Sequence, residues 1–104
     1  MAASRPYQPE LIKSLRDRNL AAEYLNAVLE ENDPQLLLLA LRNVAQAQGG
    51  IARLAKRAKL NRESLYKMLS TRGNPELKSL EALLHALGFR LVIAAERKPK
   101  AIAS

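Results

Sequence analysis

The chain has 104 residues, which fits one domain with one modest core. Lys and Arg number 17 against 10 Asp and Glu, giving a net charge of +7, so the sequence points to an anionic partner: nucleic acid, an acidic protein or an anionic membrane surface. With no cysteine, disulfides, Cys-based metal sites and thiol chemistry are excluded.

Apolar residues make up 48% of the chain, but only three Tyr and one Phe are aromatic. The core must therefore be Leu and Ala, which favours helix over strand. The opening "MAASRPYQPE" lacks the apolar centre of a signal peptide. The longest apolar run, 36–41, is far too short to cross a bilayer. No membrane partner and a cytoplasmic location are expected.

In chain order, residues 1–8 read as a flexible arm. Leu11, Ile12 and Leu15 suit a short helical turn. Asp17 is a good N-cap, and Leu20, Ala21, Tyr24, Leu25, Val28 and Leu29 follow with helical period. "ENDP" ends that helix. Asp33 caps the next, with Pro34 at its first position, where a missing N–H costs nothing.

This third helix runs to about Gln48. Its "LLLLAL" is apolar almost all round and predicts burial on more than one side. Gly49 and Gly50 stop it. Two short helices follow, at 51–58 and about 61–70, and "TRGNP" is a loop. Leu77, Leu80, Leu83, Leu84 and Leu87 mark a last helix, ended by Gly88. "FRLVIA", 89–94, is rich in strand-favouring residues and predicts a short C-terminal β-strand. The remainder, 96–104, reads as a flexible tail. The result is an all-α domain over 9–95 of five or six helices plus that strand.

The pair of helices over about 51–70 has the features of a helix–turn–helix unit. Leu54, Ala58, Leu60, Leu65 and Met68 supply an apolar inner face, and Ala55 supplies a small contact where the helices meet. The turn position usually held by glycine is Lys59, which must then adopt a positive φ at a cost of roughly 1 kcal/mol. The outer face of the second helix carries Asn61, Arg62, Glu63, Ser64, Tyr66, Lys67 and Ser70, donors and acceptors suited to base edges and phosphates in a major groove. Arg53, Lys56, Arg57 and Lys59 lie on or just after the first helix, where charge holds flanking backbone.

Each residue has a plainer role beside this one. Arg62 and Lys67 donate to guanine, to phosphate, or simply to water. Glu63 accepts from cytosine or orients Arg62 or Lys67. Ser64, near the helix start, suits a phosphate. Tyr66 stacks, binds phosphate or packs at the core edge. His85, the one histidine, reads as a surface or partly buried helix residue. No phosphate-binding glycine loop, catalytic triad or metal-ligand cluster is present, so neither an enzyme nor a cofactor is expected.

The stretch "LNRESLYKMLS", with "AAEYLNAVLEENDPQLLLLALRNVAQAQGG" before it and "GNPELKSLEALLHALGFRL" after it, resembles the HigA-like addiction-module antidote family. These are small regulators with a lambda-repressor-like helix–turn–helix. The resemblance spans about 11–93. It implies an antitoxin that pairs with a RelE/ParE-type toxin and represses its own operon by binding double-stranded DNA as a homodimer. It also implies that Arg62, Glu63 and Lys67 occupy base-reading positions. A phage- or plasmid-type repressor without a toxin, and a protein-binding module that no longer contacts DNA, are the rival readings.

Overall fold

The computed structural model describes residues 8–70 and 72–96. Among the described residues there are six helices: α1 (Gln8–Ser14), α2 (Arg18–Leu29), α3 (Pro34–Ala47), α4 (Ile51–Ala58), α5 (Arg62–Met68) and α6 (Leu77–Ala86). The architecture is all-α. The expected arm, except for Gln8, and the expected tail beyond Glu96 lie outside the described residues.

Local chemistry sets most boundaries. The Asp17 carboxylate accepts from the N–H groups of Asn19 (2.8 Å) and Leu20 (3.1 Å) and opens α2. Asp33 does the same for α3, accepting from Gln35 and Leu36, with Pro34 as the first helical residue. Each such cap satisfies donors that a helix start leaves bare and contributes about 1 kcal/mol.

α3 is the central element, touching α1, α2 and α4; α4 in turn packs on α5 and α6. One continuous apolar cluster joins them, with Leu15, Leu41, Val44, Leu54, Leu65, Leu69 and Leu83 fully buried. The "LLLLAL" run is buried as expected at Leu38, Ala40 and Leu41 and half-buried at Leu36 and Leu37, but Leu39 faces solvent. In α2, Ala21, Leu25 and Val28 enter the core, while Leu20 and Leu29 at its ends are exposed. Buried Asn43 donates to the Tyr24 hydroxyl at 3.1 Å, which ties a buried polar side chain to a half-buried aromatic.

Polar ties also hold the first turn of the fold. Gln48 Nε2 donates to the carbonyls of Leu15 (2.8 Å) and Arg16 (3.1 Å), and the Arg57 guanidinium donates to the Gln48 carbonyl at 3.2 Å. The end of α3 is thereby tied to the end of α1, and the last turn of α4 to the end of α3.

The expected strand at 89–94 is not formed. Residues 91–96 have no regular structure, and no strand exists among the described residues. A strand requires a hydrogen-bonded neighbour, and the described residues offer none.

Candidate nucleic-acid interface

α4 and α5 are joined by residues 59–61. Lys59 lies in the left-handed region, φ 58° and ψ 40°, as its position requires. Its N–H donates to the Lys56 carbonyl (3.2 Å), and the Leu60 N–H reaches back to the Ala55 carbonyl (2.9 Å). This is the Schellman pattern, normally built on glycine. Ala55 is 3% exposed, so a larger side chain would push the helices apart.

The inner face is formed as the spacing implies. Leu54 and Leu65 are fully buried, Met68 is buried, and Ala58 and Leu60 are half-buried. Successive residues of a helix turn by about 100°. With Leu65, Met68 and Leu69 inward, Glu63 and Lys67 lie opposite them, and Arg62 and Tyr66 flank that face one turn apart. All four are exposed, Tyr66 by 56%, so the tyrosine belongs to the surface rather than the core edge. Glu63 pairs with neither Arg62 nor Lys67 among the described residues.

Between the two helices runs an open groove of about 450 Å³, lined by Ala52, Arg53, Ala55, Lys56, Leu60 and Arg62. It brings together three of the candidate basic side chains from both helices. Arg53, Lys56, Lys59, Arg62 and Lys67 are exposed and enter no side-chain hydrogen bond or ion pair among the described residues. Arg57 differs, since its guanidinium is committed to Gln48.

Two candidates have local structural duties. The Asn61 side-chain oxygen accepts from the N–H groups of Glu63 (2.8 Å) and Ser64 (3.2 Å), capping α5; only its amide nitrogen is left to face a ligand. Ser70 is half-buried, and its Oγ donates to the Lys67 carbonyl at 2.8 Å. Ser64 is exposed at the first turn. The contribution of Leu60 and Ala52 to the groove floor was not legible in the sequence, because neither carries polar chemistry.

His85 is exposed on α6. No group of three or more His, Asp or Glu able to hold a metal ion, and no helix long and apolar enough to cross a membrane, occurs among the described residues.

Residues 7–95 match the family described as "probable addiction module antidote protein". An uncharacterized protein of Haemophilus influenzae is 35% identical over 74 residues, which cover 71% of this chain and 75% of that protein. No solved structure matches. Antidotes of this kind are the antitoxin half of a toxin–antitoxin pair, and a toxin partner is implied. The chain belongs to the addiction-module antidote family.

Proposed function

We propose that the chain is a sequence-specific DNA-binding regulator: the autorepressing, HigA-like antitoxin of a type II pair, with a lambda-repressor-like helix–turn–helix formed by α4 and α5. The observation that carries this reading is the exposed face of α5. Arg62, Glu63, Tyr66 and Lys67 stand clear of the core, and Arg53 and Lys56 share the adjoining groove.

In this reading, basic side chains of α4 and the link neutralise phosphates and set the register. Arg62 and Lys67 then donate to base edges, with guanine O6 and N7 as the best-fitting acceptors. A seven-residue helix reads few base pairs. A homodimer on a two-fold operator, with its two reading helices about 34 Å apart, supplies the rest of the affinity. The regulator acts in the cytoplasm, as one domain over 9–95, with a RelE/ParE-type toxin as its protein partner.

A gel shift with the full chain and the DNA upstream of its own gene tests the reading. A retarded complex that resists competitor DNA of unrelated sequence is expected. Lys56→Ala should weaken all sequences alike and flatten the dependence of log K on log salt by about one unit. A chain that binds its toxin but no DNA would instead be a protein-binding module.

A further inference from the structure

We propose that residues 90–96 pair in antiparallel fashion with the same residues of a second copy of this chain, with Ile93 opposite Ile93. The inference rests on the dimeric reading above and specifies its contact.

Gly88, at φ 91°, ends α6, and the Phe89 N–H donates to the Leu84 carbonyl at 2.8 Å. Phe89 packs half-buried against the core. Beyond it the chain leaves the core. No backbone group of 90–96 enters a backbone–backbone hydrogen bond among the described residues. Leu91, Val92 and Ile93 are 49%, 69% and 99% exposed. Three consecutive exposed aliphatic residues whose backbone groups are unbonded among the described residues form a template for strand addition.

The charges choose the occupant. In the register centred on Ile93, Arg90 faces Glu96 of the other copy, and two-fold symmetry repeats that pair at the opposite end. Leu91 faces Ala95, and Val92 faces Ala94. Residues directly opposite in an antiparallel pair share one face. Leu91, Ile93 and Ala95 of both copies therefore make a wholly apolar face. The other face places Val92 and Ala94 between the two Arg90–Glu96 pairs. Centring the pair on Val92 or Ala94 separates those charges. The segment 90–96 is also neutral, with one Arg and one Glu, in a chain of net charge +7. Within the paired residues themselves, each positive charge has a negative one opposite it.

The test uses the full chain. Ile93→Cys introduces its sole thiol, and mild oxidation should give a disulfide-linked dimer on a non-reducing gel, since opposed Cα atoms lie about 4.5–5.5 Å apart. Leu91→Cys should stay unlinked, because its two copies are about 14 Å apart along the ladder. Arg90→Glu or Glu96→Arg alone should raise the dimer dissociation constant about tenfold in sedimentation, and the double exchange should return it to within about twofold. Circular dichroism confirms that each variant keeps its helices. Equal cross-linking at positions 91 and 93, or single reversals without effect, overturns the pairing. If the wild-type chain nonetheless sediments as a dimer and binds its operator, the function proposed above stands and only this contact falls. A wild-type chain that is monomeric free and on DNA overturns both. Loss of toxin binding by Arg90→Glu in a chain that never self-associates also overturns the pairing and gives the segment to the toxin.

Discussion

α4 ends at Lys59 with φ 58°, whereas α3 and α6 end at Gly49 and Gly88 with φ of 114° and 91°. The backbone pattern at α4 and α6 is the same: Leu60 reaches the Ala55 carbonyl and Phe89 reaches the Leu84 carbonyl. What differs is the depth of the excursion to positive φ. Asn32 and Lys59, the non-glycine residues in this region among those described, sit at 55° and 58°, close to the left-handed minimum where a Cβ is still tolerated. The glycines lie well beyond it. Lysine at this link costs roughly 1 kcal/mol relative to glycine, and it places an exposed positive charge at the head of α5, beside Arg62.

The glycine side of the comparison carries the largest effect. Gly50 has φ 96° and ψ 162°, a region almost closed to other residues, yet a Cβ there would meet nothing within 4 Å. Gly50→Ala should therefore destabilise the fold by about 2 kcal/mol through backbone strain alone, read as a lower midpoint in urea with an unchanged slope. Next comes the cap just after Lys59. Asn61→Ala removes the acceptor of two N–H groups of α5 and should cost about 1 kcal/mol in the same assay. Asn61→Asp keeps that acceptor and should retain most of the stability, while adding a negative charge that weakens binding to DNA.

Lys59→Gly gives the smallest change and the sharpest one. Relief of strain favours the variant, and the freer unfolded chain takes part of the gain back. A net stabilisation of roughly 0–1 kcal/mol is expected, together with slightly weaker DNA binding from the lost charge. A clear destabilisation would show that the lysine side chain makes a contact the fold needs.

Sequence alone located these breaks well. Asp17, Asp33 and Pro34 mark helix starts by their own side-chain chemistry, and the helical period fails between Ala58 and Leu60, which isolates Lys59. Other features are set by neighbours that a linear pattern does not contain. Asn61 is both a good cap and a good base reader, and only the exact start of α5 assigns its oxygen to the backbone. Tyr66 suited the core edge or the surface equally until the facing of α5 was known. Leu77 continues the apolar stripe of α6 but is 64% exposed, because the helix begins before the core does. The strand propensity of 89–94 is real in composition, but a strand also needs a hydrogen-bonded neighbour, and none lies beside it among the described residues.

The proposal that α5 reads DNA is tested most directly by titrating the operator with wild type, Arg62→Ala and Lys67→Ala. Both side chains are exposed and unpaired among the described residues, so their removal should leave thermal stability nearly unchanged. Each substitution should weaken specific binding by about 1–3 kcal/mol and relax the preference at the base pair it contacts, with little change on unrelated DNA. Losses below about 0.3 kcal/mol for both variants, against the 1–3 kcal/mol of a base-reading contact, would contradict the claim and move the reading surface off α5.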